Sequence, residues 1–383
     1  MDFELSEEQV AMRDLARDFA EKEIAPIVEE DEKHHRFRPE IVRKMGDLGF
    51  FGVVIPEEYG GTGLGLLSSV VITEEIAKVS ASYGLPFNMQ TIGPGLTILQ
   101  FGTEEQKQKY LPRLVDGSSI GCFAITEPGS GSDVASMKTT AVEQEDCFVL
   151  NGQKTWISNA HVADVGLVYA YTDRAAKAKG MSCFLVELKN TPGVTTVPIE
   201  TKLGLFSAPT GEIIFEDAKI PKSALLGQRG DGFKICMWQL DNTRISCSAR
   251  AVGVGKACIE VAVKYALERD QFGQPIADFQ MIQDQIAQMY VENDAARQLV
   301  HRAAYNRDKG ARNSLEISMA KYFSAEAVNK AAGEAVKIFG SYGFSTEYPA
   351  ARLFHDAKSF QIVEGTSNIQ KVIIAGYALG RRR

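Results

Sequence analysis

No Cys-x-x-Cys pair occurs in this sequence, although it holds six cysteines. Cys122, Cys147, Cys183, Cys236, Cys247 and Cys258 are scattered. That spacing argues against a disulfide framework or zinc ribbon and suits small apolar side chains in a reducing compartment. Only five histidines are present, none at metal-ligand spacing, so no metal site is expected. No apolar run reaches the length of a membrane span. The chain lacks any basic block of five or more, and its net charge is −7. Nucleic acid and anionic membrane surfaces are therefore not expected as partners. Arg381–Arg383 reads as a solvated basic end. No G-x-G-x-x-G follows a predicted strand, which argues against a nicotinamide enzyme. The glycine-rich PEEYGGTGLG (Pro56–Gly65) is not followed by Lys-Ser or Lys-Thr, so it reads as a turn between helices. The N-terminal MDFELSEEQV is acidic and amphipathic and does not fit a signal peptide, so a soluble cytoplasmic protein is expected.

What is present divides the 383 residues into three parts. Residues 1–119 read as helical. Ser6 and Gln9 have capping-box spacing, and Thr103 with Gln106 repeats it. Tyr83–Phe101 carries no charged residue, so it is expected to be buried or to line an apolar pocket. Residues 120–228 are richer in β-branched residues, glycine and proline. Candidate strands are Cys147–Leu150, Val165–Tyr171, Cys183–Leu188 and Ile213–Phe215, with Asn151-Gly152 as the strongest hairpin signal. This spacing predicts a small antiparallel barrel or sandwich. Residues 229–383 are helical again, with long periodic segments at Phe233–Glu268, Gln280–Lys309 and Ser314–Phe339 that suit a bundle. The fold class is α+β, mostly α.

Chemistry can sit at several places. FQIVEGTSNIQ (Phe360–Gln370) holds one carboxylate, Glu364, in a mostly apolar stretch. Such a group loses hydration, which tends to raise its pKa and suit it to accept a proton. Alternatively it is a solvated residue at a helix end. Gly365 leaves room for a ligand to approach the backbone. AITEPGSGSD (Ala124–Asp133) is either a cradle of amides for a polar ring edge or a plain surface turn. Trp156 sits among small polar residues and either packs in the core or covers a flat cofactor ring. Arg269 beside Phe272 either holds a pyrophosphate or turns a helix corner. Asp241 and Arg244 share a helix face and can form a local ion pair.

Taken together, PEEYGG, AITEPGSGSD, NGQKTWISNA, LGQRGDGF, LDNTR, RDQFGQPIADFQ, IFGSYGF and VEGTSNIQ stand in an order and spacing that resemble the acyl-CoA dehydrogenases from end to end. The resemblance implies an N-terminal helical domain, a middle antiparallel β-barrel and a C-terminal four-helix bundle, in a homotetramer with one FAD per subunit. It implies Glu364 as catalytic base. Phe123, Ile125, Thr126, Ser132, Trp156 and Ser158 would line the flavin. Arg269, Phe272 and Gln280 would hold the diphosphate and adenine side, with Phe339 and Gly340 of a neighbouring subunit, and Thr366 and Asn368 would touch FAD. Many relatives have Glu where Asn368 stands. Ser132, Asp241, Arg244 and Gly365 would meet the CoA thioester.

The implied reaction removes the α-proton by Glu364 while the β-hydrogen leaves as hydride to flavin N5, giving a 2-enoyl-CoA. The Glu364 amide and the flavin ribityl hydroxyl would stabilise the developing enolate. Electrons would leave to an electron-transfer flavoprotein. A subset of the family, including branched-chain relatives, carries its glutamate immediately before the LDNTR arginine, where this chain has Thr243. The missing cation in Tyr83–Phe101 argues against a dicarboxylic acyl group, because a buried carboxylate needs a partner. A short- to medium-chain fatty acyl-CoA, or an alicyclic or aromatic one, is expected. An acyl-CoA oxidase, usually longer, an enoyl-CoA reductase running the chemistry backwards, and an inert FAD-binding scaffold are the other readings.

Overall fold

The computed structural model describes residues 4–381. Met1–Phe3 and two arginines of the expected basic end, Arg382 and Arg383, lie outside the described residues. Seven helices come first: α1 (Glu7–Phe19), α2 (Val28–His34), α3 (Pro39–Asp47), α4 (Leu66–Val79), α5 (Ala81–Gln90), α6 (Leu96–Phe101) and α7 (Glu104–Val115). Both expected capping boxes are formed, Ser6 with Gln9 and Thr103 with Gln106. The charge-free stretch forms α5, a π-helical turn at Thr91–Gly95 and α6, and nearly all of it is buried. Pro56–Gly65 is a turn ahead of α4. The first amides of α4, on Leu66 and Leu67, donate to the Asp308 carboxylate at 2.6 and 3.0 Å. A helix N-terminus left without intrahelical acceptors is thus capped by the last residue of a distant helix, Gln280–Asp308.

The middle part holds β1 (Gly121–Ala124), β2 (Thr140–Glu143), β3 (Cys147–Ser158), β4 (Val165–Tyr171), β5 (Met181–Glu187), β6 (Val194–Pro198), β7 (Thr210–Pro221) and β8 (Leu225–Leu226). They form one sheet in the order β6-β7-β3-β2-β4-β5-β8, with β1 also beside β4. The β1–β4 and β2–β4 pairs are parallel, so the sheet is mixed where an antiparallel barrel was expected. Parallel neighbours need a long crossover, and the β2–β3 hairpin lies within the one that joins β1 to β4. Asn151-Gly152 is not a hairpin turn either. It lies inside the twelve-residue β3, at a register shift against β7. The chain reverses earlier, where the Gln144 amide donates to the Cys147 carbonyl at 2.8 Å.

The last part is α8 (Gly232–Glu268), a small β9 (Asp270–Gln271) and β10 (Gln274–Pro275) corner, α9 (Gln280–Asp308), α10 (Ser314–Phe339), α11 (Pro349–Ser359) and α12 (Ser367–Ala378). α10 packs on α8, α9, α11 and α12, and α8 also packs on α4 and α5. Small residues at Ser246–Ala249, Ala251, Gly253 and Gly255 let α8 approach its neighbours. A Cβ on Gly253 would stand 2.4 Å from the Glu74 carbonyl of α4. Among the described residues no helix is long and apolar enough to cross a membrane.

Candidate active site

A cleft of about 1350 Å³ opens between α5, the edge of the sheet, α8 and the turn joining α11 to α12. That turn carries Glu364, whose φ is +57°, followed by Gly365 at +87°. Left-handed backbone is costly for a residue with a Cβ, so the surroundings must hold it. They do so with several bonds. Arg244 Nε donates to the Glu364 carbonyl at 3.0 Å, and Gln370 Nε2 to the Gly365 carbonyl at 3.0 Å. Lys321 Nζ donates to the Phe360 carbonyl at 2.7 Å, and Glu326 accepts from Gln361 and Ser367. Thr366 then caps α12 by accepting from the Ile369 amide. Glycine is required at 365, where a Cβ would meet Gln370 Nε2 at 2.8 Å.

The Glu364 side chain turns into the cleft. Its Oε2 accepts from the Thr243 hydroxyl at 2.7 Å. Among the described residues its Oε1 accepts no hydrogen bond, which leaves it open to take a proton. The Glu364 N–H donates to no backbone carbonyl among the described residues. One turn along α8, Asp241 accepts from Arg244 Nη1 at 3.0 Å and from Ser314 at 2.6 Å. Thr243→Val removes the hydrogen bond to the Glu364 carboxylate and is expected to cost roughly 10-fold or more in any step that draws on that carboxylate. Stopped-flow reduction of the loaded protein should slow by that factor with cofactor content unchanged.

The opposite wall comes from the sheet. Trp156 has φ +58° and is 58% exposed, so it is neither core nor relaxed. Its indole, with Phe123, Ile125, Thr126, Ser132 and Ser158, lines the cleft. Behind this wall Glu127 accepts from the Thr139 amide at 3.0 Å, the Thr139 hydroxyl at 2.6 Å, Lys154 Nζ at 2.8 Å and the Lys138 amide. Burial opposes its ionisation, but the Lys154 charge and these bonds hold its carboxyl below the usual range. The Thr155 amide donates to the Thr126 carbonyl at 3.0 Å, tying the Ala124–Asp133 loop to β3. Phe123 fits because the π-helical turn leaves space at Gly93, where a Cβ would be 2.9 Å from its ring.

The mouth of the cleft is cationic. Arg307 lies 5.4 Å over Trp238, bonds Asn242 at 3.0 Å and has a buried Nη2 without a partner. Arg312, Lys234 and Lys358 stand nearby in the same lining.

Family profiles for the acyl-CoA dehydrogenase N-terminal, middle and C-terminal domains match residues 6–118, 122–218 and 230–379. The chain belongs to the acyl-CoA dehydrogenase family. It is 49% identical to a glutaryl-CoA dehydrogenase of Desulfococcus multivorans over 100% of this chain and 99% of that one. It is 43% identical to an NADH-dependent acryloyl-CoA reductase of Anaerotignum propionicum, over 100% and 97%. The solved complex of a glutaryl-CoA dehydrogenase with glutaryl-CoA superposes with a TM-score of 0.98 at 48% identity, covering 100% of this chain and 98% of that one. The family is one of flavoproteins, and its members are oxidoreductases acting on CH–CH groups.

For this acyl-CoA dehydrogenase family member, the cleft brings together Glu364, Gly365, Thr366, Asp241, Arg244 and the expected flavin-side residues of the sheet. It does not bring in Arg269, Phe272, Gln280, Phe339, Gly340 or Asn368. Asn368 is exposed on the first turn of α12. The others gather at the far corner of the helical bundle. There Arg269 lies 5.8 Å over Tyr342, Phe339 stacks on Tyr265 at 4.1 Å, and Phe272 is 95% exposed with φ +54°. Sequence reading did not name the cations of the mouth, Arg307 and Arg312, nor the roles of two residues deeper along α8. Thr243 contacts the carboxylate directly, and Arg250 lines the cleft from α8. The available signal for Arg250 was a lone cation in the otherwise small and apolar run SCSARAVGVG.

Proposed function

We propose that this protein performs FAD-dependent α,β-dehydrogenation of an acyl-CoA thioester to the 2-enoyl-CoA. The observation that carries this reading is Glu364, held at one oxygen by Thr243 and free at the other, facing a cleft with an exposed tryptophan on its far wall. The residues fit a flavin. Trp156 offers a flat apolar face that water alone would not reward, and Thr126, Ser132 and Ser158 stand beside it with hydroxyls for a polar ring edge. FAD, when bound, accepts the β-hydrogen with its electron pair.

The chain's own residues do the rest. Glu364 takes the proton from the carbon next to the thioester carbonyl. Its unpaired N–H points to a donor for the oxygen on which charge then develops. Arg244 and Gln370 fix the turn so that base and donor keep their spacing. Asp241 orients Arg244. The cationic mouth at Arg307 and Arg312 suits the phosphates of CoA.

At the corner of Arg269, Phe272 and Gly340, Phe272 is almost fully exposed in one chain although it meets Phe279 edge-on. A homotetramer, in which a second copy brings this corner to the diphosphate side of the cofactor, accounts for it. An electron-transfer flavoprotein as acceptor and a cytoplasmic setting complete the proposal. The relative named as an acryloyl-CoA reductase favours a second reading, in which Glu364 returns a proton to the α-carbon and the reaction runs toward the saturated thioester. Anaerobic addition of acyl-CoAs to the purified yellow protein tests the first. Bleaching of the flavin band is the expected result, and a panel in which no thioester bleaches it while NADH does would favour the second.

A further inference from the structure

The helix α8 runs along the cleft like a ruler. Trp238, beneath Arg307, marks the cationic mouth. Thr243, five residues on, holds the carboxylate of Glu364. Arg250 comes seven residues later, which is two turns of helix and about 10 Å of axial rise, so its side chain leaves α8 on the same face as Thr243. Arg250 lines the cleft at its inner end with Leu85 and Met89 of α5, both buried.

The state of Arg250 is unusual. It is 1% exposed, and its Nε and Nη1 have no hydrogen-bond partner. No carboxylate pairs with it among the described residues. The ring of Phe360 lies 5.6 Å from its guanidinium carbon, and this cation–π contact offsets only part of the cost of burying the charge. The packing is nonetheless built around the side chain. α5 has glycine at position 84 where a Cβ would stand 3.2 Å from Arg250 Cδ and 3.4 Å from Cγ. A guanidinium fork kept dry and unpaired beside a cleft is complementary to one group above all, a carboxylate.

We propose that Arg250 anchors a carboxylate at the far end of the acyl chain, so that this protein takes dicarboxylic acyl-CoA thioesters. The inference rests on the dehydrogenase reading above and adds the substrate class to it. It also revises the expectation drawn from Tyr83–Phe101. That stretch does lack a cation, but α8 supplies one through the space at Gly84. An acyl group with an apolar end would leave the guanidinium buried and unpaired. Sites built to pair a polar group discriminate strongly against analogues that lack it.

The test compares glutaryl-CoA and butyryl-CoA as probes in anaerobic stopped-flow reduction. Wild-type protein should show kcat/KM for glutaryl-CoA about 100-fold above that for butyryl-CoA, the scale of a hydrogen-bonded charge pair. Arg250→Met should collapse that ratio, and Arg250→Lys should keep part of it. Equal use of both thioesters by the wild type overturns the anchor, whether or not the variants fold, and leaves the dehydrogenase reading standing. An unchanged ratio in folded, FAD-loaded Arg250→Met overturns it as well. If neither thioester bleaches the flavin, the dehydrogenase reading fails. Titration calorimetry then decides the anchor separately, since tighter binding of glutaryl-CoA than butyryl-CoA supports it and equal affinity overturns it.

Discussion

Replacing Glu364 by glutamine should leave the protein yellow and folded while slowing flavin reduction by acyl-CoA roughly 10²- to 10⁴-fold, the usual worth of a positioned general base. The two outcomes separate because the turn is not held by the carboxylate. Arg244 bonds the Glu364 carbonyl, Lys321 bonds that of Phe360, and Glu326 collects Ser367 and Gln361. Glutamine keeps the volume and can still accept from Thr243. What it loses is the basic oxygen. Asp241 is the carboxylate nearest along α8, but both its oxygens are engaged, one by Arg244 and one by Ser314. It is therefore a poor substitute. Absorbance at the flavin band gives cofactor content, and single-turnover reduction gives the rate. A Glu364→Gln protein that reduces at near wild-type rate would place the base elsewhere.

Much of this arrangement was legible in the sequence, for local reasons. Capping boxes at Ser6 and Thr103 depend on residues three apart, and both formed. The long helices end where glycine, proline or a run of polar residues interrupts the period, so α8, α9 and α10 begin and end within one residue of expectation. Non-local pairing decided the rest. Asn151-Gly152 reads as a hairpin in isolation, yet Asn151 spends its amide across the sheet. Its Oδ1 accepts from the Asp217 amide at 2.9 Å and its Nδ2 donates to the Asp217 carboxylate at 3.0 Å. Gly152 is needed because Thr139 packs against it, where a Cβ would meet Thr139 Oγ1 at 2.5 Å. A turn signal was thus a close-approach signal, and β3 runs straight through it. The same limit hid Thr243 and Arg250. Their roles arise from elements about 120 and 165 residues away, and nothing in LDNTR or SCSARAVGVG points to those partners. The motif at Phe360–Gln370 singled out the proposed base; only the fold shows what holds it.

The second large effect is on stability and lies behind the cofactor wall. Lys154 is fully buried and pairs with Glu127 at 2.8 Å, itself almost fully buried. Breaking such a pair by removing one partner strands a charge in low dielectric, which costs about 3–5 kcal/mol. Lys154→Met strands Glu127 with its three remaining donors, two from Thr139 and one from Lys138. Glu127→Gln strands Lys154, whose other partners are the Ile125 carbonyl at 3.2 Å and the Met137 sulfur at 3.7 Å. The lysine has the poorer alternatives, so Glu127→Gln should be the more damaging of the two. The double variant removes both charges and should recover much of the loss, since the desolvation cost disappears with the attraction. Thermal midpoints of the wild type, both single variants and the double variant measure that coupling. The loop carrying Ile125 and Thr126 hangs on this pair, so FAD should dissociate from the single variants before the helical parts unfold. Equal midpoints across the set would mean that Lys154 and Glu127 are only packed together, and that the shape of the flavin wall comes from β3 alone.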